Sequence, residues 1–147
     1  PRVRPSIMTF SLSFDQGLCG CIAIGACFFN GYLSYKVGAK RKQVGLKYPA
    51  PYDFSNPQAE FNRYQRAAHN YQEVLPMFLT LLAIASIDYP RYAFYCGLIF
   101  LTGRYFYTTG YFKSVDGRTR GAFYILGVFG LLGLSLKTVY TALAQSS

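Results

Sequence analysis

Charged residues are scarce in this chain. Only 14% of its 147 residues are Asp, Glu, Lys or Arg, whereas 52% are hydrophobic and 18% are aromatic. An average soluble domain carries about one-quarter charged residues. The scarcity of charge therefore predicts a membrane protein, and the length suffices for one domain or one small helical bundle.

The side chains that serve as metal ligands are few. Six acids stand against 15 basic residues, which gives a formal charge of +9, and His69 is the only histidine. The four cysteines form no CxxC pair, and three of them lie in one apolar segment. Because zinc sites need clustered Cys and His ligands, no metal site is predicted. The cysteines are expected to be free thiols packed as small apolar residues.

Common catalytic and nucleotide-binding motifs are missing too. The chain has no P-loop, no GxGxxG turn and no recognisable Ser-His-Asp set. It also lacks a basic tail and any nucleic-acid-binding motif, so no nucleic-acid partner is expected. The excess of positive charge instead indicates anionic lipid or an anionic small ligand.

Four apolar segments predict an all-α integral membrane protein with a single four-transmembrane-helix domain over residues 1–147. Residues 17–35 carry no charge, which is close to the roughly 20 residues that a bilayer core requires. The first segment is therefore interpreted as a retained span and not as a removed signal, with Met8 as a candidate natural start. The predicted helices cover about 14–37, 58–88, 92–112 and 119–144.

The connections between these segments predict helix ends and orientation. Ser55 or Asn56 is expected to cap the second helix, with Pro57 just inside it. Pro76 is expected to kink that helix where its polar half becomes apolar. Basic loops after the first and third segments should face the cytoplasm, with both termini on the other side, although Arg2 and Arg4 argue the opposite way.

Residues 61–76 are polar, yet they run directly into an apolar segment. Arg66, Asn70 and Glu73 are spaced i, i+4 and i+7, so a helix places them on one face. Charge at such a place is costly and indicates a functional site. Arginine suits carboxylates, so several arginines with one glutamate suggest a ligand with several negative groups and one positive group, such as a small peptide.

Purely structural explanations remain open at this point. Arg66 and Glu73 could simply neutralise each other, and Tyr107 and Tyr111 could belong to an aromatic belt at the membrane interface. For His69 the structural role is favoured, because it lies on a neighbouring strip of the helix without a partner set.

Several motifs resemble one family. The run FNRYQRAAHNYQEVLPMFL is similar to the second-helix signature of the membrane-associated proteins in eicosanoid and glutathione metabolism (MAPEG). GRYFYTTGY is similar to the third-helix motif of that family, and KYP and RTRGA match it in order and spacing. The resemblance implies a homotrimer of four-helix subunits with glutathione as cosubstrate at each subunit interface.

The resemblance also implies roles for individual residues. Glutathione would be bound by Arg66, Asn70 and Glu73, with Arg41 reaching in from the end of helix one, and the neighbouring subunit would supply Tyr107, Tyr111 and Arg118. Arg104 matches an arginine of the third-helix motif and is counted with the binding residues. Arg118 is predicted to stabilise the thiolate, and Arg120 is the alternative because loop length varies there.

The implied function is a membrane-bound glutathione transferase or glutathione peroxidase. It would conjugate glutathione to lipophilic electrophiles, reduce lipid hydroperoxides, or both, and an activity like that of leukotriene C synthase is compatible with this reading. The expected location is the endoplasmic reticulum membrane with the active site facing the cytosol, or the outer mitochondrial membrane. The alternatives are a non-catalytic lipid-binding protein of the lipoxygenase-activating type and a membrane scaffold.

Overall fold

Four long α-helices account for most of residues 11–145, which are the residues that the computed structural model describes. The described part of the chain contains no β-strand. Arg2, Arg4 and Met8 lie outside it. The helices are α1 (Phe14–Val44), α2 (Glu60–Asp88), α3 (Pro90–Lys113) and α4 (Tyr124–Gln145), and a 3-10 helix at Asp116–Gly121 connects the last two.

Helix α1 begins where the sequence predicts but continues well past the predicted end at residue 37. Ser13 caps its start in a reciprocal arrangement with Gln16, each side chain bonding the backbone N–H of the other. The helix stops only at Gly45, whose φ of 69° lies in the left-handed region that favours glycine. The basic residues 40–42 therefore form the last turns of α1, and the prediction that they lie in a loop is wrong.

Helix α2 starts at Glu60, after Pro57, and the predicted side-chain cap is wrong. Its N-cap is Ala59, which has no capping side chain. Ser55 and Asn56 instead belong to a turn around Asp53, because their backbone N–H groups donate to Asp53 Oδ1 at 3.0 and 3.3 Å. Together with the Ser55 hydroxyl, these bonds hold the pKa of the Asp53 carboxyl below its ordinary value.

The polar and apolar halves of α2 form one helix that continues through Pro76. Tyr71, from the polar half, is fully buried and donates a hydrogen bond from its hydroxyl to the Ala26 carbonyl of α1 at 3.0 Å. Phe78, from the apolar half, stacks on Phe100 of α3 with ring centres 3.7 Å apart. Burial against α1 and α3 thus fixes which face of α2 remains open.

The fourth helix begins at Tyr124 rather than near residue 119, because the 3-10 helix intervenes. Glycines allow that short helix to pack closely against α3. A Cβ on Gly110 would collide with the Gly117 carbonyl, and one on Gly121 would collide with the Gly103 carbonyl. Arg118 and Arg120 therefore lie in a 3-10 helix that packs against α3, and not in an irregular loop.

Three of the helices, α1, α2 and α4, are long and apolar enough to cross a membrane. Much of their apolar surface faces outward: Phe28, Phe129 and Leu136 are 76%, 65% and 63% exposed. Such a surface is typical of a protein solvated by lipid. Helix α3 contains Arg104 and many tyrosines and packs against the other three helices. Its role as a fourth span stays a prediction.

Candidate functional site

The polar face of α2 is open to solvent. Arg66 donates from Nη1 to Glu73 Oε1 at 3.2 Å, and Asn70 donates from Nδ2 to Glu73 Oε2 at 3.4 Å. The three side chains share one face of the helix, as their spacing predicts. The side chains of Arg66 and Glu73 are 48% and 45% exposed, so a ligand can reach both charges.

Arg104 lies behind this face and supports it. Its Nη1 and Nη2 both donate to Asn70 Oδ1 at 3.0 Å. The residue is fully buried, and its guanidinium carbon lies 4.6 Å from the ring centre of Tyr107 and 4.7 Å from that of Tyr124. The sequence places Arg104 among the binding residues, but the structure gives it contacts to Asn70 and to aromatic rings instead of an open position.

Tyr111 reaches the site from α3 of the same chain, and Tyr107 lies one turn before it on that helix. Tyr111 and Arg66 line one recess of about 390 Å³. The two tyrosine rings stack with centres 6.2 Å apart. The resemblance implies that both tyrosines come from a neighbouring subunit, and that assignment stays a prediction. Within one chain, Tyr111 shares the recess with Arg66, whereas Tyr107 packs against Arg104 and Tyr124.

The 3-10 helix separates the two candidate arginines. The guanidinium carbon of Arg118 lies 5.9 Å from the centre of the Tyr111 ring. Arg120 lines a different recess, of about 270 Å³, together with Tyr105 and Phe106. At three residues per turn, side chains two positions apart point in widely different directions. The described chain therefore brings Arg118, and not Arg120, towards Tyr111.

Arg41 is not part of this recess. It is 7% exposed and donates from Nη1 to the Ala50 carbonyl at 2.7 Å. Its guanidinium carbon lies 4.5 Å from the ring centre of Tyr48 and 4.8 Å from that of Phe61. The resemblance implies a ligand contact for Arg41, whereas within this chain the residue anchors the loop between α1 and α2.

The recess has a wall that the residue patterns did not reveal. Tyr52 and Asp53, from the loop before α2, line it next to Arg66, and Asn62 holds the loop in place. Asn62 Oδ1 accepts from the Asp53 backbone N–H at 2.8 Å, while its Nδ2 donates to the Asp53 and Asn56 carbonyls at 2.9 and 3.1 Å. The signal was available, because Asn62 is the second residue of the family-like run on α2.

His69 and the cysteines contribute no catalytic cluster. His69 is exposed, and its Nδ1 lies 3.5 Å from the Tyr52 hydroxyl, a weak contact at best. No group of three or more His, Cys, Asp or Glu side chains that could hold a metal ion occurs within residues 11–145.

Together the fold and the recess define a class: a helical membrane protein with an open polar recess lined by arginine, aspartate and tyrosine side chains. The sequence profile of the MAPEG family matches residues 19–140. The chain belongs to this family, and the resemblance is confirmed.

Individual relatives agree with the family. The chain is 30% identical to human microsomal glutathione S-transferase 2 over 118 residues, covering 80% of this chain and 78% of that protein. It is 28% identical to bovine leukotriene C4 synthase over 127 residues, covering 82% of each. The resemblance further implies the microsomal glutathione S-transferase 3 type, because leukotriene-synthase relatives have Tyr after the Glu where this chain has Val74. This subgroup stays a prediction.

Proposed function

We propose that this protein is a membrane-bound glutathione transferase that activates the glutathione thiolate. The observation that carries the proposal is the solvent-open face of Arg66, Asn70 and Glu73 beside Tyr111 and Arg118. The names of the relatives, microsomal glutathione S-transferase and leukotriene C4 synthase, support the same activity.

The charges of the site suit glutathione, which carries two carboxylates and one ammonium group. Without a ligand, Arg66 and Glu73 satisfy each other. A bound ligand would exchange that pair for two new ones, one carboxylate on Arg66 and the ammonium on Glu73, so neither protein charge is left unpaired. Arg104 occupies Asn70 Oδ1, so Asn70 Nδ2, which donates one hydrogen bond to Glu73, has its second hydrogen to donate to the ligand.

Arg118 is proposed to stabilise the thiolate, because a cation near a sulfur favours its deprotonated form. The thiol proton passes to solvent, and the sulfur then forms a bond to the electrophilic carbon of the acceptor. The electron pair of the broken bond leaves with the leaving group or, for an epoxide, stays on the oxygen, which is then protonated. The nucleophile belongs to the cosubstrate, so the protein needs no reactive cysteine.

Reduction of lipid hydroperoxides is the second reaction that the proposal includes. The thiolate attacks the peroxide oxygen, the O–O bond breaks, and the lipid leaves as an alcohol once it is protonated. The sulfenic acid formed on glutathione reacts with a second glutathione to give the disulfide and water. The peroxide gains two electrons, and the two thiols supply them.

An apolar groove supports a lipophilic acceptor. It measures about 930 Å³, and its lining comes mostly from α1, with Ile24, Cys27, Phe28 and Tyr35 among it. The apolar lining suits a lipid-soluble reactant that arrives from the bilayer. The same groove favours the second candidate function, a lipid-presenting protein without catalysis.

A homotrimer is part of the proposal. A Cβ added to Gly17, Gly20, Gly31 or Gly38 of α1 would meet no atom within 4 Å, whereas Cβ atoms on Gly110 and Gly127 would collide with their own chain. Open glycines on a membrane helix allow close approach of another helix. This contrast supports the packing of α1 against another copy.

The proposed location is the endoplasmic reticulum membrane, with the outer mitochondrial membrane as the alternative. The basic end of α1 and the 3-10 helix with its arginines are expected in the cytosol. Arg66, Tyr111 and Arg118 lie towards the same end of the bundle, so the active site would face cytosolic glutathione.

Two experiments test the proposal on detergent-purified protein. Millimolar glutathione should raise the melting temperature, and an unchanged melting temperature would favour the lipid-presenting alternative or a scaffold. Turnover with an aryl halide, a lipid epoxide and a lipid hydroperoxide then measures which reactions occur. A protein that binds glutathione but turns over none of these acceptors would contradict a transferase.

A further inference from the structure

A second polar cavity lies between α1, α2 and α3 and measures about 320 Å³. Each helix contributes one cation to its lining: Lys36 from α1, Arg63 from α2 and Lys113 from α3. The acid in its lining is Glu60, and Lys40 already neutralises that carboxylate at 2.9 Å. The cavity therefore has a surplus of positive charge that no described side chain balances.

Arg63, the central cation, is held in place by backbone carbonyls. Arg63 donates from Nε to the Phe112 carbonyl at 3.3 Å and from Nη1 to the Gln58 carbonyl at 3.2 Å. These bonds orient the guanidinium and leave its Nη2 available. The cavity wall behind it is the ring of Tyr64, which stacks on Phe112 with centres 4.1 Å apart. An anion that binds here therefore meets an arginine and a ring wall that are already oriented.

The cavity lies at the level where lipid headgroups are expected. Lys36 directly follows the uncharged residues 17–35, and Lys113 is the last residue of α3. Towards the middle of the membrane, the exposed surface beside the cavity is aromatic and includes Tyr105 and Phe106. Charged groups at the boundary with apolar rings below them match the two halves of a phospholipid.

We propose that this cavity binds the phosphate of an anionic phospholipid from the leaflet on the basic side of the membrane. Lys36, Arg63 and Lys113 hold the phosphate, and the hydroxyl group of Tyr64 provides a further donor. The acyl chains follow the aromatic surface of α1 and α3. The proposal requires the membrane location but not the transferase activity.

Arg63 also lines the glutathione recess, so the test relies on the two lysines. The variant is Lys36→Gln combined with Lys113→Gln, and the matched control is Lys42→Gln, an exposed lysine of α1 outside the cavity. Each protein is purified in detergent and titrated with phosphatidylglycerol or phosphatidylcholine, and the melting temperature is measured. Inorganic phosphate forms a separate arm.

Phosphatidylglycerol should stabilise the unmodified protein and the Lys42→Gln control at concentrations where phosphatidylcholine does not. The double variant should need about 25-fold more phosphatidylglycerol, because each basic side chain near an anionic lipid contributes about fivefold in affinity. Replacing both lysines by arginine should retain the effect. The melting temperature of the glutamine double variant without lipid shows separately whether that variant folds.

Three results would overturn the proposal. Equal stabilisation by phosphatidylcholine would show an apolar groove without headgroup recognition. Equal stabilisation of the double variant and the control would place any anionic lipid elsewhere. Full stabilisation by inorganic phosphate alone would identify the site as one for a free anion and not for a lipid.

Discussion

Arg104 donates two hydrogen bonds, both of 3.0 Å, to the single side-chain oxygen of Asn70. One residue of this pair is fully buried in α3, and the other stands at the edge of the open α2 face. The pair therefore couples the packing of the helices to the geometry of the candidate site. Its consequences can be measured separately in stability and in ligand binding.

Arg104→Met should destabilise the protein by about 2–3 kcal/mol, because it removes two charge-assisted hydrogen bonds and the ring contacts of the guanidinium. Arg91→Met is the matched control. Arg91 is 71% exposed, and its ion pair with Asp15 at 3.4 Å should contribute at most about 1 kcal/mol. Thermal unfolding in detergent compares the two, and equal losses would contradict a special role for Arg104.

Arg118→Ala should lower the thiolate absorbance of bound glutathione and the turnover by about tenfold or more. The reason is that a nearby cation lowers the pKa of an acidic group by about one to three. Glutathione binding should be largely retained. Arg120→Ala separates the two candidates, since Arg120 lines the other recess. If Arg120→Ala shows the loss and Arg118→Ala does not, the assignment must be reversed.

Glu73→Gln should weaken glutathione binding about fivefold, the scale of a partly exposed ion pair. The physical reason is the lost partner for the ligand ammonium. A glutathione analogue without its α-amino group provides the cross-check. The unmodified protein should prefer glutathione over the analogue, whereas Glu73→Gln should bind both alike. A preference that survives in the variant would mean that Glu73 does not contact the ammonium.

Asn62→Asp should raise the KM for glutathione several-fold with little change in kcat. The change keeps the oxygen that accepts from Asp53 but removes the Nδ2 donors that hold the loop beside the recess. Chymotrypsin should also cleave faster after Tyr52 and Phe54. Gln72→Glu makes the same change of group at an exposed position of α2 and should alter neither measurement. A loop that stays protease-resistant in Asn62→Asp would show that the Asn62 side chain does not hold the loop in place.

Gly110→Ala should destabilise the protein by about 1–3 kcal/mol, because the new Cβ would collide with the Gly117 carbonyl, a backbone atom that cannot rotate away. Displacement of the 3-10 helix should also reduce turnover through Arg118. Gly133→Ala is the control, since its Cβ would meet nothing within 4 Å. Equal melting temperatures for the two variants would show that the 3-10 helix tolerates a shift.

Local pattern was sufficient for much of the site. The spacing of Arg66, Asn70 and Glu73 determines that they share a face on any helix, and their mutual hydrogen bonds follow from it. The helix ends were less predictable. Basic residues after an apolar run resemble a loop, but α1 keeps its hydrogen bonds through them until Gly45. Likewise, Ser55 and Asn56 have the chemistry of a cap but bond to Asp53 instead.

The sequence by itself determined the membrane class, the helical composition, the polar face of α2 and the family. These depend on composition, on periodicity and on contiguous motifs. Only the tertiary structure decided which arginines are open and which are structural. Arg104 is buried because α2 and the aromatic rings of α3 and α4 close around it, Arg41 is held by the loop, and Arg118 is turned to Tyr111 by the 3-10 helix. Periodicity shows which side chains share a face, but packing between distant segments determines what that face meets.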